Sequence, residues 1–312
     1  MKSILLIIPY FGQWPLWFDA YLTSVKHNPT INWLCPTDCK IPEEYPENIK
    51  FLKTDIKRLN KHVNQVVGCN VPLTPRKFCD LKPAYADIFE EEIKAYDFWG
   101  FCDLDIIWGD IRQFMTPELL ANYDIISSRK EAISGHFNLF KNTHVLNTLY
   151  RKIPNYKKLF EYPEFQWTDE QVLTRCLKEH PNFINLSLKI YWETILCNQE
   201  RGRDSHQEYE YNKWKWENGK MICLKTNQNV MYLHFINWKR TMQYSEVLYR
   251  DQPDFFYISF NGMHYQLHSI IQRRKRDFIN IFKGYNIQEK QRIRRLKLKS
   301  FLKKMKRKLK LN

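Results

Sequence analysis

The chain has 312 residues, 44% of them hydrophobic and 15% aromatic, which excludes a disordered protein and leaves enough chain for one or two cored domains. No apolar run approaches the ~18–20 residues that cross a bilayer as a helix. The formal charge is +15, yet Gln272 to Asn312 holds 17 of the 49 Lys/Arg and only two of the 34 Asp/Glu, so a neutral globule carries a basic tail.

In chain order, Lys2 to Pro9 reads as a buried first strand, with Pro9-Tyr10-Phe11-Gly12 as the loop after it. The run is too short, and lacks the small-residue cleavage site, for a secretory leader. Leu16, Trp17, Tyr21, Leu22 and Val25 have helical spacing over Trp14 to Lys26. Short strands follow at Ile31 to Cys35, ended by Pro36, and at Ile49 to Leu52. Strand, helix and strand in that order predict an α/β domain with a mostly parallel sheet.

After the break at Pro72 to Pro75, Phe78 to Tyr85 is expected to lead into a helix through about Ala95, then a strand from Phe98 to Cys102. Ile111 to Asn122 reads as loop and short helix, Tyr123 to Ser127 and Ile133 to Phe140 as strands, and Thr143 to Lys152 as helix. Thr168 is placed as the N-cap of a helix to Glu179. Tyr191 to Lys225 looks irregular, Met231 to Ile236 is a clear strand, and Phe255 to Phe260 a small one. In the tail, Leu298, Phe301, Leu302, Met305 and Leu309 fall on one face of a basic amphipathic helix. Eight cysteines without a C-x-x-C pair point to reduced, cytosolic usage, and Cys35, Cys39, Cys69 and Cys79 lack the paired knuckle of a zinc site.

The chemistry centres on Asp103-Leu104-Asp105, between the apolar runs Phe98 to Cys102 and Ile106 to Trp108. Carboxylates at the end of a buried strand are costly unless paired or bound to a metal. Alternation would put Asp103 and Asp105 on one side of the chain, a geometry suited to a hard divalent cation that bridges phosphates. Capping aspartates in a loop are the plainer alternative. His234, inside an apolar strand, is either a core histidine or a further ligand suited to Mn²⁺, and Lys239 can meet a phosphate as a point charge.

Asp103-x-Asp105 with the distal His234-Phe-x-x-Trp-Lys239 resembles the GT-A glycosyltransferases of the glycogenin and lipopolysaccharide-galactosyltransferase type, which carry D-x-D and a later H-x-x-G-x-K-P-W. Asp80-Leu-Lys82-Pro-Ala-Tyr85 before Tyr96 to Asp105 is closer to a group of uncharacterised bacterial proteins found with capsule and surface-polysaccharide genes. The resemblance covers roughly residues 1 to 240, with Asn237 in place of the glycine and Arg240 in place of the proline.

It implies Asp103, Asp105 and His234 as ligands of Mn²⁺ or Mg²⁺, and Lys239 on a phosphate. Asp80 and Lys82 would reach the donor sugar or diphosphate, with an N-cap as the alternative for Asp80. Pro9, Tyr10 and Phe11 would hold base and ribose, with simple packing as the alternative for Tyr10. Ser134, Gly135 and His136 would line the sugar sites, although His136 could equally lie on the surface. A carboxylate near the acceptor hydroxyl could be Asp169 or Glu170, which otherwise serve the helix dipole.

The expectation is a GT-A, Rossmann-like α/β domain over 1–265, with a mixed, mostly parallel sheet, and a basic amphipathic tail over 266–312. Its function would be metal-dependent hexose transfer from a UDP-linked donor to a surface or capsular glycan. The acceptor, free or lipid-linked, would lie at the inner face of the cell membrane, where the tail of a cytoplasmic, peripheral protein meets anionic lipid. The alternatives are a nucleic-acid-binding or processing protein, disfavoured by the neutral body, and a non-catalytic membrane-bound scaffold of the same fold.

Overall fold

A computed structural model describes residues 1–198, 211–236, 238 and 241–282, with positions 294, 298 and 305. By internal contacts the chain divides into Met1–Tyr265 and Gln266–Asn312.

Strand β1 (Ile4–Ile7) is buried along its whole length, as its unbroken apolar sequence requires of a central parallel strand. It pairs in parallel with β2 (Ile31–Thr37) on one side and β4 (Phe98–Cys102) on the other. β3 (Ile49–Lys53) extends the sheet beyond β2. Past β4 lie the antiparallel β7 (Phe137–Lys141), then β6 (Ile125–Ser127) and β8 (Ile190–Tyr191), giving the order β3-β2-β1-β4-β7-β6-β8. The sheet is mixed and mostly parallel with flanking helices, the α/β architecture expected from the sequence.

One face is covered by the helix Phe18–Lys26, whose residues from Ala20 to Val25 are all buried. The core holding Leu59, Val63 and Val67 from the helix Ile56–Val67 also takes in Tyr85, Phe89, Trp99 and Phe140. The helix Ile56–Val67 has no counterpart in the sequence reading, although Asp55 caps its start and Gly68, at φ 68°, ends it in the left-handed region.

Other local expectations are corrected. β2 runs through Pro36 to Thr37, and the Pro36 carbonyl accepts the Tyr10 amide at 2.9 Å. In place of the single helix expected through about Ala95 there are three short turns, Lys77–Ala84, Tyr85–Ile88 and Glu90–Ile93, the first of them containing Pro83. Pro83 lacks the amide that a continuous helix would need there.

The segment read as irregular contains β9 (Trp214–Glu217) and β10 (Lys220–Cys223), an antiparallel hairpin turning on Asn218-Gly219, both at positive φ. It joins β11 (Gln228–Val230), β13 (Tyr244–Ser245), β14 (Phe255–Ser259) and β15 (Gly262–His264) in a second sheet, ordered β11-β10-β9-β14-β15-β13. Short strands β5 (Ile106–Trp108) and β12 (Tyr232–His234) pair with each other.

Gly100, in the middle of β4, is a steric requirement. A Cβ there would overlap the Asn138 carbonyl oxygen on β7 and come 2.8 Å from Leu139 Cδ2. Gly100→Ala should therefore lower stability by about 1–3 kcal/mol through overpacking, read from the urea midpoint. A change below about 0.5 kcal/mol would show that β4 and β7 yield more easily than this packing implies.

In the Gln266–Asn312 unit, the helix Ile270–Phe282 exposes Ile270, Ile271 and Phe278 beside a run of four cations, Arg273 to Arg276. Leu298 and Met305 are helical and exposed, while Phe301, Leu302 and Leu309 of the expected apolar stripe lie outside the described residues. Among the described residues no helix is long and apolar enough to cross a membrane.

Candidate active site

The Asp103-Leu104-Asp105 turn joins β4 to β5 and is fixed on several sides. The Asp103 amide donates to the His136 carbonyl at 3.2 Å, and the Trp17 indole N–H donates to the Leu104 carbonyl at 2.9 Å. The Phe235 amide donates to the Asp105 carbonyl at 3.0 Å.

Antiparallel pairing explains how a histidine far along the chain reaches this turn. β12 is registered on β5 so that His234 stands opposite Ile106, the residue after Asp105. Asn198 holds the His234 backbone from both sides, accepting its N–H at 2.8 Å and donating to its carbonyl at 3.1 Å. His234 Nε2 lies 3.6 Å from Asp105 Oδ1, and the His136 ring stacks on the His234 ring at 4.0 Å.

Asp103, Asp105 and His234 each bring one ligand atom within 4.8 Å of the others. Asp105 and His234 are buried and Asp103 is half-buried. Two carboxylate oxygens and an imidazole nitrogen, with desolvated donors, suit a divalent cation of the Mn²⁺ kind, since imidazole is a better ligand for Mn²⁺ than for Mg²⁺.

Lys82 is the second fixed point. Its ammonium donates to Asp103 Oδ1 at 2.7 Å and to the Gly135 carbonyl at 2.5 Å, and lies 3.7 Å from Asp169 Oδ2. Burial pulls its pKa down, but Asp103, the Cys79 thiol and Asp169 outweigh that and hold it well above the ordinary lysine value.

Asp169 is itself buried, and its Oδ1 has no hydrogen-bond partner among the described residues. Burial, helped by Glu170 and Asp103 and opposed by Lys82, pushes its pKa up to about 8. Glu170 Oε1 accepts the Gly135 amide at 3.0 Å, and a Cβ at Gly135 would collide with the Glu170 side chain. Ser134 is fully buried, and His136 is buried too rather than on the surface.

The raised pKa has a sign that can be tested on metal-free protein. The folded state keeps the Asp169 proton where the unfolded chain has lost it, so stability falls as pH rises from the ordinary carboxylate range to about 8. The slope from this one group is at most about 1.4 kcal/mol per pH unit. Asp169→Asn should flatten that part of the stability–pH curve and gain on the wild type at alkaline pH. Parallel curves for the two proteins would contradict it.

Two adjoining cavities meet at Lys82 and Asp103. The first, about 410 Å³, is lined by Pro9, Tyr10, Phe11, Arg76, Lys82, Asp103 and Asp105. Tyr10 stacks on Trp14 at 5.5 Å, and Phe11 meets the Phe78 ring edge-on. The second, about 230 Å³, is lined by Lys82, Gly135, His136, Asp169, Glu170 and His234, together with Arg76, Arg129, Phe165 and Trp167. The sequence reading did not single out these last four.

Asp80 has a different setting from the one the resemblance implies. It is fully buried, paired with Lys77 at 2.9 Å, and accepts the backbone amides of Gln166 and Thr168. Thr168 is thus not the N-cap. Trp167 holds that place in the left-handed region, and the helix opens with a π turn, Thr168–Val172. Lys239 lies outside the described residues.

A family profile, Family of unknown function (DUF6625), matches residues 6–266. The chain belongs to this family. Comparison with the curated proteins gives no match. Among solved structures the chain is similar to mouse xyloside xylosyltransferase 1, apo form, at 13% identity and a TM-score of 0.41, covering 74% of this chain and 97% of that one. It is similar to the galactosyltransferase LgtC in complex with donor and acceptor sugar analogues at 11% identity and a TM-score of 0.32, covering 60% and 72%. It is also similar to the glycosyltransferase GlyE of Streptococcus pneumoniae TIGR4 at 13% identity and a TM-score of 0.34, covering 76% and 55%. At these scores the likeness is remote, and the site's own residues carry the chemistry of this DUF6625 member.

Proposed function

We propose that this protein is a metal-dependent glycosyltransferase that moves a hexose from a UDP-linked donor to a glycan acceptor. The observation that carries the reading is the Asp103–Asp105–His234 cluster where two cavities meet, with the Lys82 ammonium beside it. A divalent cation bound there would supply positive charge for the departing diphosphate.

The chain's own residues divide the remaining work. Tyr10 and Phe11 give the first cavity an aromatic wall for base and ribose. Lys82 adds cationic charge near the diphosphate, and Lys239 is the residue that the sequence resemblance would assign to a phosphate. Gly135, with no side chain, leaves room for the Glu170 carboxylate in the wall of the second cavity. Asp169, with a pKa of about 8, takes the proton from the acceptor hydroxyl in the molecules that have lost its own, so turnover should rise with pH towards about 8.

Glu170 orients the Gly135 backbone by accepting its amide. The basic tail, with the exposed Ile270, Ile271 and Phe278, would rest a cytoplasmic enzyme on the anionic inner face of the cell membrane. A surface or capsular glycan, built on a lipid carrier, is the acceptor that fits this placement.

The test is chelation followed by readdition of Mn²⁺ during turnover of UDP-hexoses. Loss and return of UDP release supports the reading, and activity indifferent to metal overturns it.

A further inference from the structure

Trp167 is a large side chain, 44% exposed, on a backbone with φ 55°, in the left-handed region that non-glycine residues rarely adopt. Its conformation is held by buried charge. The two amides on either side of it, those of Gln166 and Thr168, donate to Asp80 at 2.9 and 3.0 Å. Asp80 is neutralised by Lys77, and both side chains are 0% exposed. Lys77 also donates to the Leu159 carbonyl at 2.7 Å and the Glu164 carbonyl at 3.4 Å, tying the approach to the same loop.

A buried ion pair adds little net stability over apolar packing. Here it fixes the backbone on both sides of one exposed indole. The Phe165 ring lies 5.0 Å from the Trp167 ring, and the Arg76 guanidinium lies 4.0 Å from the Phe165 centroid.

All three side chains line the second cavity, whose other walls include Asp103, Asp169, Glu170, His136, His234 and Lys82. An apolar ring face at the mouth, with hydrogen-bonding groups inside, matches the two sides of a pyranose. The C–H face of such a sugar packs on an aromatic ring while its hydroxyls meet polar groups.

We propose that Trp167, backed by Phe165, is the stacking platform for the acceptor sugar ring, presenting one hydroxyl toward Asp169. This rests on the glycosyltransferase reading and specifies its acceptor as a pyranoside held by an aromatic face. The first cavity, on the other side of Lys82, remains for the donor.

The test uses the full chain labelled with 5-fluorotryptophan and followed by fluorine NMR. The Trp167 resonance is assigned as the one missing from Trp167→Phe. Methyl β-D-glucopyranoside and methyl β-D-galactopyranoside are titrated to tens of millimolar, and UDP with Mn²⁺ is added in a separate titration. The Trp167 line is expected to shift with at least one glycoside. Trp167→Ala should weaken that glycoside's binding, read by saturation transfer on its own protons, by about tenfold.

A Trp167 line that moves with neither glycoside, or glycoside binding equal in Trp167→Ala, overturns the platform. A line that moves with a glycoside while UDP and Mn²⁺ perturb nothing supports the platform and overturns the donor reading on which transfer depends.

Discussion

Asp105→Ala is expected to reduce metal-dependent turnover by about a thousandfold or more. A bound cation supplies several kcal/mol of stabilisation to a departing diphosphate, and each 1.36 kcal/mol is about tenfold in rate. Asp105 is the more telling of the two aspartates to remove. It is 5% exposed and stands 3.6 Å from His234, so its carboxylate is a desolvated donor. Without it, Asp103 and His234 remain, and Asp103 is already engaged by Lys82 at 2.7 Å.

The fold should survive the change, because the turn is held mainly through backbone groups, by Trp17, Phe235 and the His136 carbonyl. The measurements are UDP release from a UDP-hexose and Mn²⁺ affinity by calorimetry, on protein whose circular dichroism matches the wild type. Near-normal turnover would remove the metal from the account.

Lys82→Met should affect both stability and activity. The ammonium holds Asp103, Asp169 and the Gly135 carbonyl together from a buried position. Removing one member of a buried ion cluster costs about 3–5 kcal/mol, and the low end is expected here. Asp103 is 30% exposed at its side chain and can be solvated, while Asp169 can stay protonated.

At pH 9, above the Asp169 pKa of about 8, adding Asp169→Asn should return part of that loss, since the second carboxyl then needs no counter-charge. A double-mutant cycle from urea unfolding measures the coupling, expected to be at least about 1 kcal/mol. Strictly additive costs would mean that Lys82 and Asp169 do not share charge. Turnover of Lys82→Met should fall with the loss of cationic charge at the diphosphate, even where the variant is fully folded.

The sequence made the centre of the fold and its chemistry legible for one physical reason. β1 and β4 are unbroken apolar runs, and two carboxylates at the end of such a run stand out. His234 could be singled out because it interrupts an apolar strand, although only the register of β12 on β5 brings it to Asp105.

Asp80 was misplaced because its partners Gln166 and Thr168 lie 86 and 88 residues away, a separation that leaves no local pattern. Trp167 was overlooked for the same reason, since its exposure and positive φ follow from that distant clamp. Two misses did have local signals. Asp55, the spacing of Leu59, Val63 and Val67, and Gly68 mark a capped amphipathic helix. Asn218-Gly219 between alternating aromatic and apolar residues marks a hairpin.

The most direct measurement is the thermal unfolding of the full chain with UDP alone, Mn²⁺ alone and both together. Both together should raise Tm by about 5 °C or more at saturating ligand, neither alone should come near that shift, and Asp105→Ala should abolish it. Equal stabilisation by UDP with and without metal, or none from the pair, would contradict a nucleotide-diphosphate site built on Asp103, Asp105 and His234.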